Sequence, residues 1–283
     1  MRIHHLNCGT DCPLGGPLFD GRSASPLAEL VGHCLLIETD AHGLVLVDTG
    51  FGLKDVAHPH RSPARVPRFF RGLLNIRLRE AETAARQIEA MGFRREDVRH
   101  IVLTHLDFDH AGGLEDFPNA AVHLMEQEYG QATGERRGFI ATRRFRPNQW
   151  NEVSDWRIYG SAGGSWHGFD AVRDLDGLPP EILLVPLPGH TWGHAGVAVR
   201  RDDGRWLLHA GDAYFYRGEV RSPERRCTPG LRAYQTMMET HREQRLFNQD
   251  RVRRLSVDRA GEISVVCAHD PVELERCQAG RPL

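Results

Sequence analysis

The segment Thr104-His-Leu-Asp-Phe-Asp-His-Ala-Gly-Gly113 places two histidines and two aspartates within six residues. The apolar run from His100 to Leu103, which predicts a buried strand, leads directly into it. In a protein core, side chains of this kind carry a large desolvation cost unless they find partners. A metal cation removes that cost, because imidazole and carboxylate groups are its usual ligands. The segment therefore favours a metal site over a solvated loop.

Three later segments each place one further candidate ligand at the end of a predicted strand. Pro188-Gly-His190 presents His190 on a glycine-flanked turn, and Ala210-Gly-Asp212 presents Asp212 after another apolar run. His269 follows the last predicted strand. Because strand ends in one sheet sandwich can meet at a common edge, we expect these three side chains to converge with those of the first segment.

The rest of the chain alternates predicted strands and helices, which is typical of an α/β fold with sheets covered by helices. A β-hairpin is predicted from 34–38 and 44–47, further strands at 120–124, 182–186, 197–200, 206–210 and 263–267, and helices at 80–91, 125–132 and 231–252. The segment at about 133–180 is rich in Arg, Gly and Trp and lacks clean periodicity. We interpret it as an insertion, on the substrate side, in a single domain spanning 1–283.

The order of these motifs resembles that of the metallo-β-lactamase superfamily, and within it the N-acyl-homoserine lactonase-like metallo-hydrolases. HLDFDHAGG, PGHTWGH, GDA and a late AHD all fall in family order, so that the resemblance covers nearly the whole chain. It implies an αββα sandwich with metals at the edge between two sheets. The implied ligands are His105, Asp107 and His190 for one ion, Asp109, His110 and His269 for the other, and Asp212 as the bridge between them.

The resemblance also implies a reaction, the hydrolysis of a lactone or carboxylic ester. Two ions lower the pKa of a bridging water from about 15.7 toward about 7, which makes hydroxide available at neutral pH. By analogy, Asp109 orients this nucleophile as well as binding metal. In the lactonases a tyrosine three positions after the bridging aspartate stabilises the oxyanion, but that position here is Phe215. Its neighbours Tyr214 and Tyr216 are therefore the candidate catalytic tyrosines.

Asp107 departs from the family pattern, because most members carry histidine there. A carboxylate makes the donor set harder and shifts metal preference from zinc toward iron or manganese. Zinc still binds such a set, so we expect two divalent ions, zinc first, with iron and manganese as alternatives. Asp107, Asp109, Asp212 and the hydroxide would set four negative charges against two dications, which predicts a weaker Lewis acid than the histidine version.

Two alternative functions stay open at this stage. One is thioester hydrolysis of the glyoxalase II type, although no basic glutathione site is visible. The other is a di-iron redox protein, because some superfamily members with a carboxylate at the second ligand position bind two irons. His194 is expected to be a structural histidine and not a ligand.

Side chains of the 133–180 segment allow two readings each. The aromatic residues either line an acyl-binding pocket or pack in the core: Phe145, Trp150, Trp156 and Trp166. The arginines are expected to form a solvated charged face, with contact to an anionic substrate as the alternative: Arg136, Arg137, Arg143, Arg144 and Arg146.

Composition restricts the class of protein further. Hydrophobic residues make up 40% and charged residues 26% of the chain, as in soluble globular proteins. A formal net charge of −2 gives no field that would attract nucleic acid or an anionic membrane, so a small-molecule substrate is expected. The six cysteines form no CxxC pair, and no secretory signal or long apolar span is visible. We therefore expect reduced thiols and a cytoplasmic location.

Overall fold

The computed structural model, which describes residues 1–60 and 62–283, consists of two β-sheets packed face to face with helices on their outer faces. This arrangement is the αββα sandwich, and the predicted fold class is confirmed. The strands are β1 (Arg2–Asp11), β2 (Leu30–Glu38), β3 (Leu44–Val47), β4 (Ile76–Arg77), β5 (Val98–Val102), β6 (Ala121–Met125), β7 (Trp156–Tyr159), β8 (Gly164–Trp166), β9 (Phe169–Asp174), β10 (Ile182–Pro186), β11 (Ala195–Arg200), β12 (Trp206–His209) and β13 (Ile263–Val266).

The helices connect these strands or follow them. They are α1 (Pro17–Asp20), α2 (Leu53–Ala57), α3 (Arg68–Leu73), α4 (Ala84–Ala90), α5 (Glu126–Thr133), α6 (Ala141–Arg144), α7 (Pro229–Met238), α8 (Arg242–Asp258) and α9 (Pro271–Gln278). Short 3-10 turns lie at Glu80–Glu82, Arg95–Asp97, Leu114–Asp116, Pro147–Gln149, Gly211–Ala213 and Arg217–Glu219.

The first sheet has the strand order β4-β1-β2-β3-β5-β6-β7, and the second has the order β13-β12-β11-β10-β9-β8. The pairs β3/β5, β5/β6 and β6/β7 are parallel, whereas β1 to β3 form an antiparallel meander. In the second sheet only β12 and β13, among the paired strands that the structure describes, run parallel. The strands β5, β10, β12 and β13 therefore end at the edge where the candidate ligands lie.

The core is divided by the alternation of side chains along each strand. In β2, Leu35 and Ile37 point into the layer between the sheets, where they meet Val197 of the second sheet. The intervening Leu36 points outward and packs against Ile88 of α4. Residues of α8 cover the outer face of the second sheet in the same way. Each sheet is thus buried on both faces, which explains its nearly continuous apolar strands.

Most predicted elements are present, with small differences at their ends. The predicted hairpin is formed, with Leu35 opposite Val47. The helix predicted over 80–91 is divided, because Thr83 adopts an extended conformation between a 3-10 turn and α4. The Thr83 hydroxyl accepts a hydrogen bond from the backbone N–H of Arg86, so that it caps α4 and sets its first residue.

The 133–180 segment contributes to both sheets. Its strand β7 extends the first sheet beside β6, and β8 and β9 form one edge of the second sheet. The division of the chain into one domain with an insertion stays a prediction.

All six cysteines are free thiols. Among the described residues, no helix has both the length and the apolar character needed to cross a membrane.

Candidate metal centre

A first group of buried side chains meets at the edge between the two sheets. It consists of His105 in the loop after β5, Asp107 in the same loop, His190 after β10 and Asp212 after β12. The Nε2 atom of His190 lies 3.1 Å from Oδ2 of Asp107 and 3.3 Å from Oδ2 of Asp212. The Nε2 atom of His105 lies 3.4 Å and 3.7 Å from the same two oxygens. One ligand atom from each residue therefore faces a common point.

A second group lies beside the first and consists of Asp109, His110 and His269. Nε2 of His269 is 3.1 Å and Nε2 of His110 is 3.4 Å from Oδ1 of Asp212. Nε2 of His269 is also 3.9 Å from Oδ2 of Asp109. Asp212 thus faces the first group with Oδ2 and the second with Oδ1. The structure brings together all seven residues that the sequence predicted as ligands.

The ring nitrogens that point away from the two groups are held by hydrogen bonds. Nδ1 of His110 is 2.9 Å from Oδ2 of Asp48, and Nδ1 of His269 is 2.9 Å from the carbonyl oxygen of Val31. The ionised carboxylate of Asp48 and the carbonyl oxygen of Val31 can only accept hydrogen bonds. Both histidines therefore carry a proton on Nδ1. In the neutral form of each ring, the Nε2 lone pair is then free to face a cation.

Several polar atoms at the centre are buried without a hydrogen-bond partner. They include Nε2 of His105, Nε2 of His110 and Oδ1 of Asp212, judged within the described part of the chain. Orphaned buried polar atoms are costly, and here they point at one another across gaps of more than 3 Å. A donor set of imidazoles and carboxylates arranged in this way fits divalent metal ions.

The charges of the group shift the pKa values of its members in opposite directions. Burial alone would raise the pKa of Asp212, but the neighbouring histidines, His269 first, hold it well below its usual range. Burial lowers the pKa of His110, yet Asp212 and Asp48 raise it to about 10. The pKa of His269 rises to about 9, because Asp212 outweighs its burial. Without metal, protons on these two histidines provide the positive charge that the carboxylates require.

Access to the centre is uneven. The side chain of Asp109 is 13% exposed, while the side chains of His105, His110 and Asp212 are exposed by no more than 3%. Among these four side chains, Asp109 is therefore the one most open to solvent. Asp11 lies near Asp109, and burial first and the charge of Asp109 second raise its pKa to about 8.

Asp48 contacts the candidate ligands, although the sequence analysis does not single it out. It lies directly after β3 with a positive φ of 55°, a conformation rare for residues other than glycine. Its carboxylate accepts hydrogen bonds from the backbone N–H and the hydroxyl of Thr104, at 2.8 and 2.7 Å, besides its contact with His110. The Asp-Thr-Gly turn at 48–50 was the signal that could have revealed it.

His194 takes the structural position that the sequence predicted. Its Nε2 accepts a hydrogen bond from the backbone N–H of Asp212 at 2.8 Å, and its Nδ1 donates to the carbonyl of Leu187 at 2.9 Å. Both ring nitrogens are therefore used, and none remains for a metal. His194 fixes the turn that carries Asp212.

Arg144 is the clearest correction to the sequence-based expectations. The sequence predicts it on a solvated charged face, but it is fully buried, at 2% exposure. Its Nε and Nη2 atoms each lie 2.6 Å from an oxygen of Asp107, and Nη2 is 2.7 Å from Nε2 of His190. The sequence does not distinguish Arg144 from the other arginines of the segment. Its neighbours Arg137 and Arg143 are at least partly exposed, whereas Arg144 is buried next to the candidate ligands.

Three tyrosines that follow Asp212 in the sequence have different surroundings. The hydroxyl of Tyr214 is buried and donates to the carboxylate of Glu273, at 2.9 and 3.1 Å. The ring of Tyr216 lies under the guanidinium of Arg217, 4.7 Å from its Cζ. Tyr234 of α7, which the sequence did not single out, packs edge-on against Phe215. Burial raises the pKa of Tyr234, and the charges of Asp109 and the other carboxylates of the centre raise it further.

The aromatic side chains of the 133–180 segment belong mostly to the core. Phe145 and Trp150 are buried with residues of the first sheet, with Trp156 packed against them, and Trp166 is buried with residues of the second. Phe145 also lines a cavity of about 810 Å³ together with Trp192 and Arg144.

Comparison with known proteins identifies the family. The family model described as "Metallo-beta-lactamase superfamily" matches residues 27–253. The chain belongs to this superfamily. A probable metallo-hydrolase of Mycobacterium tuberculosis is 42% identical over 278 residues, which covers 96% of this chain and 81% of the relative. An N-acyl homoserine lactonase of Bacillus cereus is 25% identical over 189 residues, covering 67% of this chain and 66% of that protein.

Solved structures of the superfamily share the fold. One is an N-acyl homoserine lactone hydrolase with N-hexanoyl-L-homoserine at its catalytic metal center, with a TM-score of 0.68, 18% identity, and coverage of 97% and 95% of the two chains. The dizinc quorum-quenching lactonase AidC aligns with a TM-score of 0.60 at 15% identity, over 95% and 87%. The predicted family resemblance is confirmed, and the chain is a metal-dependent hydrolase.

Proposed function

We propose that this metallo-hydrolase opens a lactone or cleaves a carboxylic ester at a centre of two divalent metal ions. One observation carries the proposal: the two oxygens of Asp212 face two separate groups of ligands. A carboxylate in this position serves as a shared ligand. The lactonase relatives and structural neighbours support the choice of a lactone or ester as substrate.

Each group of residues has a role in this proposal. His105, Asp107 and His190 would hold one ion, Asp109, His110 and His269 would hold the other, and Asp212 would be shared by both. We assign zinc to the centre, with iron and manganese as alternatives. Bound divalent ions lower the pKa of water and polarise a carbonyl group.

The side chains of the protein supply orientation and hydrogen bonds. Asp109, the most exposed ligand, accepts a hydrogen bond from the attacking water and fixes its direction toward the substrate carbonyl. The phenol of Tyr234, whose ring packs against Phe215, donates to the oxygen that gains negative charge. It takes the role of the tyrosine that the lactonases carry at the position of Phe215. Tyr214 and Tyr216 stay as competing candidates for this role.

A direct experiment combines metal analysis with a substrate panel. The purified protein is analysed for metal by mass spectrometry and assayed with N-hexanoyl-homoserine lactone, simple lactones, aryl esters, thioesters and a β-lactam. We expect two ions per chain and hydrolysis of lactones or esters, with activity lost on chelation and restored by zinc. Turnover confined to thioesters, or full activity without metal, would refute the proposal.

A matched pair of variants links the activity to the site. Asp212→Asn removes the bridging charge, whereas Asp203→Asn removes an exposed aspartate that pairs with Arg205. The first variant should lose metal and activity together, and the second should retain both. Equal behaviour of the two variants would disconnect the reaction from Asp212.

A further inference from the structure

Arg144 is a fully buried cation at the candidate metal centre and belongs to none of the predicted ligand positions. It comes from the end of α6, whereas Asp107 lies in the loop after β5. The two backbones also meet, because the N–H of Phe108 donates to the carbonyl oxygen of Arg144 at 3.1 Å and Asp107 forms an isolated β-bridge with Phe145. The 133–180 segment thus delivers this guanidinium to the ligand loop.

The contacts of Arg144 fix both its position and its plane. Nε and Nη2 form a two-pronged pair with the oxygens of Asp107, each at 2.6 Å. Nη1 donates to the backbone carbonyls of Met238 at 2.7 Å and His190 at 3.2 Å. A planar fork held in this way orients a carboxylate more firmly than a lysine could.

The charge of Arg144 changes the balance of the centre. Three aspartates and one arginine leave two negative charges, which is also what two aspartates and a histidine at position 107 would leave. The sequence-based prediction of weaker Lewis acidity at the two metal ions counts the negative charges of the carboxylates and the hydroxide but not the positive charge of Arg144. With Arg144 included, the aspartate version carries the same net charge as the histidine version.

We propose that Asp107 and Arg144 act as one neutral ligand unit that replaces the second histidine of the motif. This inference rests on the proposed metal centre. Arg144 is a positioning residue in this account: it would hold the carboxylate of Asp107 beside His190, whose Nε2 lies 2.7 Å from Nη2 of Arg144, and it would cancel the charge of Asp107. The two residues should therefore be exchangeable for histidine only as a pair.

A double-mutant cycle on zinc affinity tests the pairing. The variants are Asp107→His, Arg144→Met and the double variant, with affinity measured by competition with a zinc chelator and content by mass spectrometry. In Asp107→His, the guanidinium would face a dication and neutral imidazoles without its counter-charge. We expect the zinc affinity of whichever of the two metal sites binds zinc more weakly to fall by roughly 100-fold.

The double variant gives the decisive result. Removing the guanidinium as well should restore zinc affinity to within roughly tenfold of the wild type, because the neutral histidine then stands alone. If the double variant binds zinc no better than Asp107→His, the two residues are not a unit and the proposal fails. Far-UV circular dichroism and thermal unfolding of the metal-free variants report folding separately from affinity.

Two control variants separate charge from packing. Arg144→Lys in the Asp107→His background keeps the cation, so zinc affinity should stay low, and full recovery would overturn the charge argument. Arg143→Met in the same background changes a neighbouring arginine that lies over Phe139, and it should rescue nothing. A wild type that binds no zinc would refute the proposed function itself, whereas two bound ions without coupling would refute only the pairing.

Discussion

The carboxylate of Asp48 lies 2.9 Å from Nδ1 of His110 and fixes which nitrogen of that ring faces the metal centre. The same carboxylate accepts hydrogen bonds from Thr104, the residue before His105. Asp48 therefore contacts one member of the second ligand group and the residue next to His105 of the first, without belonging to either group. Its positive φ places the carboxylate under the ligand loop.

Asp48→Asn should weaken zinc binding by about 10- to 100-fold, as is usual when the partner of a metal-binding histidine is lost. The asparagine keeps the shape of the side chain but removes the charge that holds the Nδ1 proton. Chelator competition measures the effect, and Asp40→Asn, at an exposed turn position, is the control. Unchanged affinity in Asp48→Asn would show that His110 needs no such support.

Asp212 and His194 should differ sharply in their importance for metal content. Asp212→Ala removes a side chain that faces both groups, so both ions should be lost on dialysis. His194→Gln removes hydrogen bonds to the backbone of Asp212 and Leu187 but no metal-facing atom, and most of the metal should remain. Metal analysis of the dialysed proteins decides the point. Equal metal loss in the two variants would contradict these roles.

The catalytic phenol can be identified by removing one hydroxyl at a time. Tyr234→Phe should lower kcat by roughly 100-fold, which is typical for the loss of one donor to a developing oxyanion, with metal content unchanged. Tyr214→Phe should leave kcat nearly intact and lower the melting temperature, because its hydroxyl pairs with buried Glu273. Tyr216→Phe serves as the third member of the set. A large kcat loss in Tyr214→Phe or Tyr216→Phe alone would move the role to that residue.

The sequence predicted those parts of the centre that lie on local motifs. Each of the seven predicted ligands follows a strand within eight residues, so the motif itself carries the position of the side chain. Strand ends at one sheet edge converge for any sandwich of this topology, which is why the convergence could be expected.

The partners of the ligands could not be predicted in the same way. Arg144 and Tyr234 reach the centre from helices that are distant in sequence from the residues they face, and nothing in their local sequence distinguishes them. Their roles depend on tertiary packing of α6 and α7 against the ligand loops. Burial of an arginine beside an aspartate is a property of the fold and not of the arginine run that contains it.

His123 gives a prediction away from the metal centre. Its side chain is fully buried in β6, with Nε2 2.9 Å from Nδ1 of His100 and Nδ1 2.8 Å from the hydroxyl of Tyr159. Burial, with a smaller contribution from His100, lowers the pKa of His123 from 6.5 to about 3. The folded protein therefore keeps this imidazole neutral at pH values where the unfolded chain is protonated.

Below pH 6.5, His123 binds a proton in the unfolded chain but stays neutral in the folded protein. The free energy of unfolding should therefore decrease as the pH falls toward 3. Each pH unit in this window should cost about 1.4 kcal/mol from His123 alone. His123→Gln should reduce that slope, whereas His58→Gln, at an exposed position, should not. Urea unfolding of the metal-free proteins between these pH values measures the slopes, and metal removal keeps acid release of the ions out of the comparison. Parallel slopes for the wild type and His123→Gln would mean that His123 already carries a proton in the folded state.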